Sequence, residues 1–351
     1  MKRIVFVVLV AAELFVLLCA CGGAQDAPLP PPAAESSSSS AEKQPSAAVC
    51  MGSISHPVHR IVQLGFFEKA DELGYEGHIL GLEEGGVQEL LDCWLQGARE
   101  YDIAGAVCWV GDDSAYEFLK ELHGMGVKTV VPHFPHNYYE TKDFIDVNAY
   151  ADLDQALYDA GEYLVERLRE RGIRSGALGV SVSGPALLHE DVMEYMSYME
   201  SKYPEYRMAD MLLEHSETET SIERMVEYIE ANPDLVGVVG RTGASAITWS
   251  RAKSRAGRED IFAMGMDYSE NNLDVLTSGG IDALVCLPLY EAGSVGLELI
   301  DSLLQGAVYQ EEEEQWHYEL DIRIVTKDGE GPQGAAYYNA MYARSAARFG
   351  S

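Results

Sequence analysis

From residue 47 onward, short apolar runs alternate with longer stretches whose apolar residues recur every three or four positions. The runs at 47–53, 77–82, 104–110 and 128–134 are nearly continuous in apolar residues, as strands covered on both faces are. Between them Val62, Phe66, Ala70 and Leu73 share one helical face, and Val87, Leu90, Leu91, Trp94, Leu95 and Ala98 share another. A third helix includes Phe118, Leu119 and Leu122. The rhythm restarts after Asn148 with a helix carrying Leu153, Leu157, Ala160, Leu164 and Leu168, followed by strands at 176–183, 208–215, 235–240, 261–266 and 283–288. A helix with Ile222, Met225, Val226 and Ile229 lies among these strands, while a helix at 292–304 and a strand at 318–326 close the pattern. Such alternation predicts an α/β fold of two doubly wound parallel-sheet lobes. The late elements must dock onto sheets already formed, so the lobes exchange segments through several crossings.

The first residues follow a different pattern. Lys2 and Arg3 precede an apolar run from Ile4 to Leu18 that ends in Leu18, Cys19, Ala20 and Cys21, the order of an export signal over residues 1–20. Cys21, followed by Gly22 and Gly23, resembles the lipid-accepting cysteine of a bacterial lipobox, with Glu13 and Cys19 as departures from the usual pattern. Cleavage there makes Cys21 the anchor of the mature chain, fixed outside the cytoplasm at the cell membrane; ordinary secretion is the alternative. Residues 21–46, with Pro28, Pro30 to Pro32 and the serines Ser36 to Ser40, have too little apolar content for a core and form a flexible spacer.

Charge narrows the partners. Fifty-seven acidic against 25 basic residues give a net charge of −32, which argues against sequence-independent binding to nucleic acid or anionic lipid. The acidic run Glu311 to Glu314 lacks the alternating ligands of a calcium loop and reads as a solvated linker. Behind the anchor, Cys50, Cys93, Cys108 and Cys286 have no CxxC partner, and three of them lie in apolar strand runs, where buried thiols are the simpler reading and one disulfide stays open.

Particular phrases then point to a family. Gly52, Ser53, Ile54, Ser55, His56 and Pro57 leave the first strand, and Ala70, Asp71, Glu72, Leu73, Gly74 and Tyr75 end the first helix. Met264, Gly265, Met266 and Asp267 end a later strand, and Asp321 to Asp328 form a closing one. In this order and spacing, over residues 47 to about 330, the chain resembles the type I periplasmic binding proteins, the ribose-binding-like solute receptors of ABC transporters. The resemblance implies two lobes that close over a ligand, with crossings near Asn148, Pro288 and Tyr309. The first lobe is then 47–148 plus 289–308 and the second 149–288 plus 309–335, followed by a tail at 336–351. It further implies a monomeric receptor that needs no cofactor and hands its cargo to a membrane permease.

Ligands of open α/β sheets bind outside the carboxyl ends of the strands, and the residues there are the candidates. The first lobe supplies Ser53, His56, His59, Trp109, His133 and Phe134, with Asp112, Asp113 and His136 nearby; the second supplies His189, Arg241, Thr242 and Asp267. By resemblance, Asp267 accepts hydrogen bonds from ligand hydroxyls or an amine. By the same resemblance Trp109, His133, Phe134, His189 and Thr242 stand where the family has ligand contacts, with different residue types, and Leu287 stands where a polar contact is common. Trp109 and Phe134 offer flat faces to sugar C–H groups or else plug the lobe interior. Arg241 fixes hydroxyls or forms a salt bridge across the hinge, and Asp267 alternatively caps the next helix.

The expected ligand is a small polar solute, a monosaccharide or related polyol, with nucleoside, amino-acid-like and metal ligands as alternatives. A sensory receptor serving a membrane kinase is the other role such a body can play. The histidines at 56, 59, 133, 136 and 189 suit hydrogen bonding to hydroxyls better than a metal centre, because HxxH in a loop fixes no coordination geometry. No GxSxG, HExxH or phosphate loop is present, and Gly237, Gly240 and Gly243 give GxxGxxG and not a dinucleotide fingerprint, so enzyme classes are disfavoured. A repressor of the same two-lobe type would need a basic helix-turn-helix where the export signal stands.

Overall fold

The computed structural model describes residues 44–109, 115–132, 142–184, 190–309 and 317–350. The export signal, Cys21 and nearly all of the spacer lie outside the described residues. In chain order the first lobe runs β1 (Ser46–Ser53), α1 (Pro57–Leu73), β2 (Glu76–Leu82), α2 (Val87–Glu100), β3 (Gly105–Cys108), α3 (Tyr116–Gly124), β4 (Lys128–Pro132) and β5 (Val147–Tyr150). The second runs α4 (Leu153–Glu170), β6 (Gly176–Ser183), α5 (Glu190–Lys202), β7 (Tyr206–Met208), β8 (Leu212–Glu214), α6 (Thr218–Ala231), β9 (Leu235–Gly240), α7 (Ser245–Ala256), β10 (Phe262–Met266), α8 (Glu270–Ser278) and β11 (Ala283–Cys286). The chain then adds α9 (Leu289–Leu304), β12 (His317–Glu319), β13 (Arg323–Val325) and α10 (Ala335–Phe349).

The strands form two sheets, β12-β5-β4-β3-β1-β2 and β13-β11-β10-β9-β6-β7, with β8 also paired to β6. Every pairing is parallel except β11 with β13, which is antiparallel. In each sheet one early strand sits between its successor and a later strand: β1 between β2 and β3, and β6 between β7 and β9. The connections leave such a strand in opposite directions, which opens a crevice at its carboxyl end. The crevices therefore fall after Ser53 and Cys108 in one lobe and after Ser183 and Gly240 in the other.

Three details differ from the sequence reading. The strand expected at 208–215 is two short strands, β7 against the start of β6 and β8 against its end, because exposed Asp210 interrupts the apolar run. The strand expected at 318–326 is also two, and they belong to different lobes: β12 pairs β5, and β13 pairs β11. The third crossing is thus residues 320–322 and not the neighbourhood of Tyr309, which moves 317–319 to the first lobe. Residues 336–351, expected as a tail, fall largely in α10, whose buried Tyr338, Met341, Tyr342 and Ser345 share one helical face.

Helix α9 returns to the first lobe and lies against α1 with almost no space between the backbones. A Cβ on Gly65 would fall 2.0 Å from the Tyr290 carbonyl oxygen, and one on Gly293 2.0 Å from that of Val62, so only glycine permits this approach. Helix α10 spans the two lobes. Arg344 pairs with Glu68 at 2.9 Å and Arg348 with Asp71 at 2.6 Å on α1, while Tyr338 packs on Tyr268 of the second lobe at a ring separation of 4.4 Å.

Candidate functional site

The first-lobe crevice is shaped by the start of α1. Pro57 opens that helix, and His56 caps it by accepting the Val58 N–H on Nδ1 at 3.3 Å. One turn on, His59 Nδ1 lies 2.6 Å from the Ser53 carbonyl oxygen, so Nδ1 carries the proton and donates, and Nε2 is left as an acceptor. Burial pulls the His59 pKa down, against the Ser53 hydrogen bond that raises it, and the ring is held neutral. His56 and His59 lie 5.1 Å apart between ring centroids, and His59 lies 6.3 Å from Trp109.

Trp109 follows β3, its N–H bonded to the Cys50 carbonyl at 2.9 Å. Its half-buried side chain borders a small apolar pocket with Ala149, Leu287, Pro288 and Leu320, where the crossing segments meet. Trp109 therefore stands at the floor between the lobes, with part of its ring in packing and part accessible. His133, Phe134 and His189, together with Asp112, Asp113 and His136, lie outside the described residues.

The second-lobe crevice is a polar network. Glu214, at the end of β8, accepts Ser181 Oγ–H on Oε1 and Thr242 Oγ–H on Oε2, both at 2.7 Å. Ser181 Oγ in turn accepts the indole N–H of buried Trp249 at 2.8 Å. Burial raises the Glu214 pKa, and the two hydroxyl bonds counter that shift by favouring the charged form. Arg241 pairs with Asp191 at the start of α5 and approaches Asp154 at the start of α4, 3.8 Å away. Its ion pairs thus tie the starts of α4 and α5 to the end of β9 within one lobe and do not cross the hinge.

Asp267 follows β10. It is a non-glycine residue in the left-handed region, at φ +66°, in a loop braced by Asn272, whose Nδ2 donates to the carbonyls of Gly243 at 2.9 Å and Met266 at 3.0 Å. Its Oδ1 is buried and has no hydrogen-bond partner among the described residues, and burial pushes the carboxyl pKa up to about 6. It does not cap α8: Ser269 does, accepting the Asn272 N–H. Gly243 leaves the space beside it open, since a Cβ there would lie 3.2 Å from Asp267 Oδ2.

Of the candidates read from the sequence, Ser53, His56 and Trp109 gather around His59, and Asp267 lies beside Gly243, which follows Arg241 and Thr242 in the chain. Sequence reading missed Glu214, Ser181 and Asn272. A charged residue ending an apolar strand was the available signal for Glu214. Among the described residues, Cys50, Cys93, Cys108 and Cys286 are free thiols, no group of three metal-ligating side chains occurs, and no helix is long and apolar enough to cross a membrane.

Over 116 residues the chain is 29% identical to the D-apiose import binding protein of Actinobacillus succinogenes, covering 32% of this chain and 37% of that protein. Over 282 residues it is 20% identical to the ribose import binding protein RbsB of Salmonella typhimurium, covering 80% of this chain and 90% of the relative. The match to RbsB of Escherichia coli, 26% identical over 29% of this chain, spans only 33% of that protein. Among solved structures, the arabinose-binding protein AraP of Geobacillus stearothermophilus superposes with a TM-score of 0.71 at 15% identity, covering 81% of this chain and 97% of that one. A sugar-binding protein from Bacillus halodurans gives 0.71 at 16%, covering 84% and 99%. At such identities these superpositions speak for the fold, two lobes of parallel sheet flanked by helices. The sequence profile of the periplasmic binding protein domain matches residues 47–307, so the chain belongs to the periplasmic binding proteins of the ribose-binding-like type I, a family of transport receptors and not of enzymes.

Proposed function

We propose that this chain is the sugar receptor of an ABC importer, working outside the cytoplasm and binding a monosaccharide or related polyol between its two lobes. The observation that carries the reading is Asp267: a buried carboxylate with one oxygen unpartnered among the described residues, held in a strained loop at a strand end, is what a donor-bearing ligand would satisfy. The names of the relatives, which import apiose and ribose, agree in ligand class. On this reading Ser53, His56, His59, Trp109, His133 and Phe134 meet the ligand from the first lobe, and His189, Arg241, Thr242 and Asp267 from the second. Ligand that touches both lobes stabilises the closed arrangement over the open one, and the closed body is what a permease receives.

Lipidation at Cys21 would keep a monomeric receptor beside its permease, with residues 22–46 as the tether. Cys21→Ala moves the chain from the membrane to the soluble fraction if this anchor operates; unchanged fractionation removes it. For the ligand, a melting screen of the purified chain against monosaccharides, polyols, nucleosides, amino acids and divalent metals is decisive. Stabilisation by sugars or polyols is expected, and a response confined to metals or amino acids overturns the reading.

A further inference from the structure

The hydrogen-bond chain behind Thr242 has a direction that its two ends fix. An indole N–H only donates, so Trp249 occupies one of the two acceptor sites of Ser181 Oγ, and because an ionised Glu214 cannot donate, the Ser181 proton turns toward it. An ionised carboxylate only accepts, so Glu214 also draws the Thr242 proton inward. What Thr242 then presents outward is lone pairs alone. Asp267, whose Oδ2 a Cβ on Gly243 would approach to 3.2 Å, likewise carries on Oδ1 a buried acceptor with no donor among the described residues. Near this wall, Arg241 is engaged by Asp191 and Asp154, and Arg224 donates to the Leu213 carbonyl at 3.3 Å.

We infer that Glu214 is a positioning residue that sets the proton direction of Thr242, making the second-lobe wall an acceptor surface that selects a ligand presenting hydrogen-bond donors there. The inference rests on the proposal that the cleft binds a sugar, and it adds which atoms of the sugar matter. A hydroxyl facing Thr242 must donate. A fluorine in its place, which cannot donate, should be no better than hydrogen, and a carboxylate there would meet the outward lone pairs of Thr242 and the Asp267 carboxylate.

The Glu214→Gln variant reverses this direction at one place. Trp249 still takes one acceptor site of Ser181, and the Ser181 proton keeps an acceptor only if it meets the amide oxygen, so the amide N–H₂ turns to Thr242. Thr242 then accepts from the amide and is free to donate outward. The experiment titrates the full chain with D-ribose, D-arabinose, D-glucose and D-galactose, their deoxy and deoxyfluoro counterparts, and their uronates. For the wild type, at one ring position at least, the deoxy and deoxyfluoro sugars should both bind roughly tenfold or more weakly than the parent. In Glu214→Gln the deoxyfluoro sugar should recover relative to the deoxy sugar at that position. A wild type that binds every deoxyfluoro sugar as tightly as its parent, or an unchanged deoxy-to-fluoro ratio in the variant, overturns the inference.

A ligand-free arm separates the two claims. The infrared difference between wild type and Glu214→Gln at neutral pH should show the loss of an ionised carboxylate; loss of a protonated carboxyl overturns the inference, because a protonated Glu214 could donate and release Thr242. Should none of the sugars bind while an ionised carboxylate is lost, the sugar reading fails and the direction of the wall stands.

Discussion

The two lobes share a strand order at their crevices, yet the described walls are built from different chemistry. In the first lobe, rings dominate: His56, His59 and Trp109 are set by a helix cap and a backbone carbonyl, and none of them is a buried charge. In the second lobe the wall is carboxylate and hydroxyl, and its protons are ordered by a chain that begins at Trp249 deep in the core. The comparison separates two jobs. A ring offers area and tolerates small changes of pose, whereas a desolvated carboxylate demands a donor at one place. The second lobe should therefore decide which ligand is accepted, and the first should mainly add contact area.

Asp267 gives the sharpest test of that division. Asp267→Ala is expected to abolish ligand-induced thermal stabilisation, an affinity loss of a hundredfold or more, because a charge-assisted bond to a ligand hydroxyl disappears from a dry site. Retained stabilisation would place the site elsewhere. The same residue should cost stability when no ligand is present. Its carboxyl pKa is raised from 3.8 to about 6 by burial, so between these values the folded chain binds a proton that the unfolded chain has released. Stability from this group is therefore full below pH 3.8 and lost as the pH rises through 6, by about 3 kcal/mol in total. Asp267→Asn should melt several degrees above wild type at pH 7.5 without ligand, and the gap should close by pH 4. A gap independent of pH would detach the buried carboxylate from the cost.

Next in size is the chain behind the wall. Ser181→Ala removes the donor to Glu214 Oε1 and the acceptor for the Trp249 N–H at once, leaving two buried polar groups unpaired. A loss of about 2–3 kcal/mol in denaturant unfolding is expected. An unchanged midpoint would mean that water replaces the hydroxyl. A packing change in the first lobe provides the contrast: Gly65→Ala must push α1 off α9, since the new Cβ would sit 2.0 Å from a carbonyl oxygen. That costs about 1–3 kcal/mol, read by the same unfolding curves, and should leave ligand preference untouched.

How much of this was legible along the chain depended on distance. The parallel strands were, because runs such as Ala47 to Met51 are apolar throughout and have no alternative to burial on both faces. Asp267 was, because its phrase is local. Strand β5 was not, since four residues containing buried Asn148 carry no periodic signal. The assignment of β12 and β13 to different lobes was also hidden, because sheet membership is decided by docking and not by local pattern. Glu214 failed for the same reason: its partners lie 33 residues before it and 28 residues after it, and only the folded sheet brings them together. Arg241 was visible as a cleft cation, but nothing local revealed that Asp191 and Asp154 claim it.

The smallest expected effect belongs to the rings. Trp109→Leu keeps an apolar side chain over Leu287 and Pro288 and removes the flat face that His59 and a sugar would share. Stacking of this kind contributes about 0.5–1.5 kcal/mol beyond area, so affinity for any sugar that binds should fall by roughly tenfold or less. The ranking among sugars should stay as it is, because leucine still offers no donor or acceptor to tell one hydroxyl pattern from another. Isothermal titration of the same panel against Trp109→Leu and Thr242→Val reads both halves of the comparison: the first variant weakens all sugars alike, and the second changes their order. If Trp109→Leu instead reorders the panel, the first-lobe rings select as well as hold, and the division between the lobes fails.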